Sequence, residues 1–228
     1  MAFNTATFKT RSMTAFVFVL VMLTGLLVNL YFFITLFSLV MLGALYEFGK
    51  IIKLIHPRRY FLFFPLGLIY IVLPCIMMIS IGIDFTEQDG LVYLPLFPCA
   101  VMFSIWINDT MAYLIGSMIG RTPLSPVSPK KTWEGTVGGI LATGILIPLI
   151  GTLIPFSSSI GRVHWFSIAA ICAVLGTLGD LLESKLKRLA GIKDSGSFMP
   201  GHGGFLDRFD SMLLSVPFVW IYVEYVIK

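Results

Sequence analysis

Charge is scarce in this 228-residue chain. Asp, Glu, Lys and Arg together make up 12% of it, about half the ~25% usual for soluble domains. That scarcity excludes a water-soluble globular protein with an ordinary surface. Long hydrophilic segments are missing too, which leaves nothing from which to build a separate domain. The expectation is one membrane domain over 1–228, with N-terminal hydrophobic spans in 1–100 and a chemically richer half in 101–228. Cysteine is limited to Cys75, Cys99 and Cys172, all within apolar runs and none in a Cys-x-x-Cys or Cys/His spacing. The thiols therefore read as packing groups, and no thiolate metal site is indicated. Lys9 and Arg11 precede a long apolar run, but no small-residue cleavage site and mature domain follow it, so the first span is expected to stay. The net charge of +4 is no sign of nucleic-acid binding, because the basic residues border the apolar runs. Orientation and anionic headgroups account for them there.

What the chain has in abundance is apolar length: 57% hydrophobic residues and a mean hydropathy of +0.92. Several runs approach the ~20 residues that cross a bilayer as a helix. Spans are predicted at 12–29, 31–47, 60–82, 91–108, 136–155, 164–183 and 210–227. The fold class is thus all-α, a polytopic helical bundle of about seven transmembrane helices. The segment 109–120, DTMAYLIGSMIG, reads as a short interfacial or half-crossing helix, and Pro65, Pro74, Pro95 and Pro98 predict kinks that neighbouring helices re-satisfy. With the N-terminus inside, fourteen of the sixteen Lys and Arg residues fall on the inner side and only Arg162 and Lys228 outside, as the positive-inside rule requires. The acidic connection with Asp84, Glu87 and Asp89 falls outside.

Most of the carboxylates gather on the inner side, in company with three basic clusters. In SPVSPKKTWEG (125–135), prolines at 123, 126 and 129 favour extended backbone. Lys130 and Lys131 then precede Thr132, a candidate N-cap, and Glu134 in the next helix. Taken alone, these residues read first as topological charges plus a cap, and second as an anion site at a helix start. In GDLLESKLKR (179–188), Asp180, Glu183 and Lys187 share one helical face. Asp180 ends an apolar run, where an ionisable side chain is costly and usually faces a site or a partner. The third cluster, IKDSGSFMPGHGGFLDRFDSM (192–212), crowds three aspartates, a lysine and an arginine into a glycine-rich connection. Asp207 and Asp210 share a face if a helix begins near Phe205. Gly201, Gly203 and Gly204 around His202 let backbone N–H groups approach phosphate oxygens. Carboxylates without histidine or thiolate companions suit a hard cation such as Mg²⁺. Together these clusters describe a polyphosphate site beside the membrane, with one lipid and one nucleotide reactant.

The stretch SKLKRLAGIKDSGSFMPGHGGFLDRFDS, Ser184 to Ser211, resembles the signature of the phosphatidate cytidylyltransferases, also called CDP-diacylglycerol synthases. That signature runs Ser-x-hydrophobic-Lys-Arg, four residues, Lys-Asp, then hydrophobic-Pro-x-His-Gly-Gly-hydrophobic-x-Asp-Arg-hydrophobic-Asp. It falls here on Lys187 and Arg188, on Lys193 and Asp194, and on Pro200, His202, Gly203, Gly204, Asp207, Arg208 and Asp210. Met199 departs from the usual Leu, Ile or Phe with little change in apolar volume. NDTMAYLIGSMIGRTPLSPVSPKKTWEG and GTLGDLLESKLKR resemble upstream elements of the family in the same order. The likeness covers about residues 104–215. The N-terminal third matches only as hydrophobic spans, and the chain is shorter than many members.

The resemblance implies that CTP and phosphatidate give CDP-diacylglycerol and pyrophosphate with Mg²⁺ and a second cation. It places metal on Asp180 and Asp207, each with a carboxylate three residues on, Glu183 and Asp210. Lys193, Arg208 and His202 would contact phosphates, as would Lys130, Lys131, Lys187, Arg188, Gly203 and Gly204. Asp109 would cap its helix or join the cation site. Trp133 is either a base-stacking residue or an interfacial anchor. The family likeness further implies a homodimer and a bacterial inner membrane; the apolar composition gives membrane lipids as surroundings, and the inward Lys and Arg put the site on the cytoplasmic side. Two rival readings stand beside it: a CTP-dependent lipid kinase of polyprenol type, and a cation-coupled transporter. The second would need polar residues near the midplane of several spans.

Overall fold

The computed structural model describes residues 5–86, 90–154, 160–198 and 203–228. Hydropathy dictates its main feature, a bundle of long helices whose outward faces are apolar. In chain order these are α1 (Thr5–Leu27) and α2 (Leu30–Ile55), then a broken span, then α5 (Leu96–Ile119), α6 (Trp133–Leu153), α7 (Arg162–Leu189) and α8 (Leu206–Tyr222). The broken span combines α3 (Tyr60–Phe63), a π-helical turn (Leu68–Val72) and α4 (Leu73–Ile81). Pro65 and Pro74 each lack the N–H that a continuous helix would use there. Two antiparallel hairpins complete the order: β1 (Ile83–Thr86) with β2 (Gly90–Tyr93), and β3 (Pro123–Ser125) with β4 (Ser128–Thr132).

Among the described residues, six helical stretches are long and apolar enough to cross a membrane, including Tyr60–Ile81 and Leu206–Ile227. The first predicted span corresponds to α1, whose apolar part, Ser12–Leu27, is shorter. Large apolar side chains such as Leu141, Ile145 and Leu149 lie exposed at helical spacing along α6. On a membrane helix that stripe meets lipid rather than water.

Two expectations need correction. The segment 109–120 is no separate interfacial helix, because α5 runs unbroken from Leu96 to Ile119. Its polar residues are tolerated because Asp109, Thr110 and Ser117 line a water-accessible cavity. For the same reason Asp109 caps nothing, since it lies mid-helix. The span predicted from residue 91 starts instead at Leu96, and residues 90–93 form strand β2. The apolar run Leu91–Leu94 is too short for its periodicity to separate strand from helix. The extended backbone expected around the three prolines is observed as β3–β4. Thr132 caps α6 by accepting from Gly135 N at 3.2 Å.

Contacts sort the loops into two ends. At one, Lys228 pairs with Asp84 (3.8 Å) and the Tyr93 hydroxyl donates to Leu26 O (2.7 Å). At the other lie the β3–β4 hairpin, the C-termini of α5 and α7 and the start of α8. There Glu134 accepts from the backbone N–H groups of Arg121 (3.1 Å) and Thr122 (3.2 Å). This is the alternation that the predicted orientation requires.

Helix contacts are closest where side chains are smallest, as membrane helices favour. A Cβ added at Gly139 would sit 2.8 Å from Ala112 Cβ and 2.9 Å from Asn108 O across the α5–α6 seam. One at Gly179 would sit 2.6 Å from Asp210 O across the α7–α8 seam. Backbone touches backbone at both places. Gly139→Leu is expected to force α5 and α6 apart and cost about 1–3 kcal/mol of stability, the usual cost of overpacking. Thermal unfolding of the detergent-solubilised protein would show it as a lowered midpoint.

Candidate active site

The close α7–α8 contact determines what lies beside it. Asp180 follows Gly179 on α7, and Asp210 is the residue whose carbonyl Gly179 touches. Glu183 stands one turn further along α7. Ligand oxygens of Asp180, Glu183 and Asp210 all lie within 4.8 Å of one another. Glu183 is fully buried, 0% exposed, and its Oε1 has no hydrogen-bond partner. Three carboxylates converging, one buried with an unsatisfied oxygen, would repel one another strongly if left alone. An all-oxygen donor set of this kind fits a hard divalent cation.

Lys187 is fixed beside that cluster. Its Nζ lies 2.5 Å from Glu183 Oε2 and donates to Asp207 Oδ1 at 2.6 Å. All three side chains are largely removed from solvent, with exposures of 12% for Lys187, 0% for Glu183 and 8% for Asp207. Asp207 is occupied on its other oxygen as well. Oδ2 accepts from Ser195 N (2.9 Å), Ser195 Oγ (2.9 Å) and Gly204 N (2.8 Å). The geometry therefore joins Asp180, Glu183 and Asp210 as a cluster and gives Asp207 to Lys187 and to the preceding loop. Gly203 has φ +84°, a left-handed backbone that favours glycine.

Asp180 is held from both sides: Lys131 of β4 forms an ion pair with Oδ2, and Ser184 Oγ donates to Oδ1 at 3.2 Å. The hairpin read from sequence first as topological charge thus delivers a lysine into the site. Asp180, Asp207, Asp210, Lys131 and Lys187 all line one cavity of about 1130 Å³. Lys130, Lys193, Asp194, Arg208, Gly203 and Asp109 line it too. Phe18 and Val19 of α1 and Ile105 and Trp106 of α5 give the cavity an apolar wall. Arg188 is not among the lining residues; it is exposed and donates to Ile192 O at 3.3 Å, closing the end of α7. Trp133 is not among them either and is 54% exposed. Pro200, Gly201 and His202 lie outside the described residues.

Sequence reasoning missed several groups at this site. Glu47 of α2 is buried and accepts hydrogen bonds from Ser195, Phe205 and Leu206. Its signal was present, as an acidic residue inside an apolar span. Asn108 donates to Thr177 Oγ1 (3.5 Å) while its Oδ1 is unpartnered. Nothing in the local sequence marks that pair.

The sequence profile of the cytidylyltransferase family matches residues 68–226. The chain belongs to that family. Among its relatives, a phosphatidate cytidylyltransferase of Staphylococcus saprophyticus is 43% identical over 150 residues, 63% of this chain and 55% of the relative. Those of Staphylococcus epidermidis and Staphylococcus aureus are 42% and 39% identical over 151 residues, with the same coverage. The chain thus spans about half the length of the curated relatives it matches. The family match includes α5–α8 and every carboxylate of the cluster, but neither α1 nor α2.

Lys187→Met would leave Glu183 and Asp207 buried without their shared cation. Removing one partner of a buried pair typically costs about 3–5 kcal/mol. A large fall in the unfolding midpoint is expected, and the double variant Lys187→Met/Glu183→Gln should recover part of it.

Proposed function

We propose that this protein transfers the cytidylyl group of CTP to phosphatidate, giving CDP-diacylglycerol and pyrophosphate, at the cytoplasmic face of a bacterial inner membrane. The observation that carries this reading is the single cavity at one end of the bundle. Its lining combines Asp180 and Asp210 of the carboxylate cluster, behind which Glu183 is buried, with lysines and an arginine from separate segments, and part of it is apolar. A triphosphate fits the first part, and the acyl chains of a lipid phosphate fit the second. The inward excess of Lys and Arg supports the cytoplasmic orientation.

In the reaction, an oxygen of the lipid phosphate forms a bond to the α-phosphorus of CTP. The bond from that phosphorus to the α–β bridging oxygen breaks, and pyrophosphate departs with the electron pair. No proton need be removed from a nucleophile that is already anionic. What the site must do is position the groups and neutralise charge. Lys130, Lys131, Lys193 and Arg208 line the cavity as the cationic contacts for phosphate oxygens, and Gly203 lines it beside them, while the Gly204 N–H is taken by Asp207 Oδ2. Lys187 holds Asp207 and Glu183 in register. Asp180, Glu183 and Asp210 would hold a hard divalent cation, Mg²⁺ in this reading, which when bound supplies neutralisation of charge on the triphosphate and leaving group. Asp207 and Asp109 face the same cavity, and a second cation belongs to this reading as well.

The test is purified protein with labelled CTP, phosphatidate and Mg²⁺, followed by lipid extraction. CDP-lipid with equimolar pyrophosphate is the expected result. Phosphorylated lipid with CDP would identify a kinase instead, and no turnover would overturn the reading. Asp180→Ala is expected to slow turnover on the order of 10²–10³-fold, the scale of lost electrostatic stabilisation. Lys53→Ala and Arg162→Ala, remote from the cavity, should leave it near the starting value.

A further inference from the structure

The start of α8 lacks a cap of its own. Phe205, at the N-cap position, has no side-chain oxygen and makes no capping hydrogen bond. The first N–H groups of a helix have no intrahelical acceptor, and buried ones need a partner from elsewhere. Here the partner comes from α2. Glu47 Oε1 accepts from Phe205 N at 3.0 Å and Oε2 from Leu206 N at 2.9 Å. Glu47 is 4% exposed, and it forms no ion pair among the described residues. Its charge is balanced by oriented N–H groups at the positive end of α8.

The same carboxylate reaches the phosphate-site loop. Ser195 Oγ lies 2.7 Å from Glu47 Oε2 and 2.9 Å from Asp207 Oδ2. A hydroxyl has one proton, so it serves one of those carboxylates at a time. With that proton given to Glu47, the oxygen still accepts from Asp207 N (3.3 Å), and Ser195 N still donates to Asp207 Oδ2. The loop backbone closes on Glu47 from two sides: a Cβ at Gly196 or at Gly204 would collide with Oε1. These contacts span about 150 positions of sequence, and Glu47 lies outside the stretch matched by the family profile.

We propose that Glu47 is a positioning residue for the site. From α2 it fixes Ser195 and the first turn of α8, and through them the direction in which Asp207 meets Lys187. It touches no reactant. The consequence is that the matched segment 68–226 does not hold its own site in place and depends on a carboxylate supplied by the preceding helix. The inference rests on the proposed activity for its kinetic readout only.

The full-length protein carries the test, with Glu47→Gln as the main variant. The amide keeps the shape but has one acceptor oxygen, so Phe205 N or Leu206 N loses its partner. Faster amide hydrogen exchange is expected at Ser195, Phe205 and Leu206. Turnover per folded molecule (kcat) should fall by about one to two orders of magnitude, the scale set by small misplacements. KM for CTP should stay near wild type. The double variant Glu47→Gln/Ser195→Ala should be little worse than the poorer single variant, because both act along one chain of contacts. Wild-type kcat in the folded fraction with only a lowered unfolding midpoint would overturn the inference, as would single-variant losses that multiply. If the wild type makes no CDP-lipid, the activity reading fails. Unchanged exchange at the three amides then still overturns the inference, and faster exchange supports it.

Discussion

One ammonium group organises the polar end of this bundle. Lys187 sits between Glu183 and Asp207, and all three are nearly removed from water. In such surroundings charges interact far more strongly than at a surface, and each one lacking a partner is expensive. The arrangement ties α7 to α8 and to the loop between them. It also separates the duties of the carboxylates. Asp207 is committed to Lys187 and to backbone N–H groups, whereas Asp180, Glu183 and Asp210 converge on one another, with Lys131 on Asp180 and Lys187 on Glu183 as their counter-charges.

The rest of the fold follows from presenting that polar knot within an apolar shell. Glycine seams let α5 meet α6 and α7 meet α8 at backbone distance, so carboxylates on different helices come within reach without long side chains. The β3–β4 hairpin returns Lys131 across the opening to Asp180. Helix α1 adds Phe18 and Val19 to the cavity wall. Each element contributes one physical quality: charge from α7 and α8, counter-charge from the hairpin, and apolar surface from α1 and α5.

Much of this was legible in the sequence because it rests on local signals. Apolar run length marked the spans, three prolines marked extended backbone, and Thr132 marked the start of α6. The crowding of Asp180, Glu183, Asp207 and Asp210 marked the polar end. Hydropathy misjudged residues 109–120, because a helix whose polar face lines a water-accessible cavity looks like a broken span when averaged. Pairings across long separations were beyond reach. No local pattern tells that Glu47 meets Leu206, that Lys131 meets Asp180, or that Lys187 reaches Asp207 as well as Glu183.

The contact at Gly179 carries a consequence for how such a protein can diverge. The distance between the acidic groups on α7 and α8 is calibrated by a missing methyl group. Even alanine there would act as a shim, prying apart two rods whose spacing sets the bite of a claw. Drift on the outward faces of these helices can be absorbed by lipid, but at this contact the gauge of the instrument is a hydrogen atom.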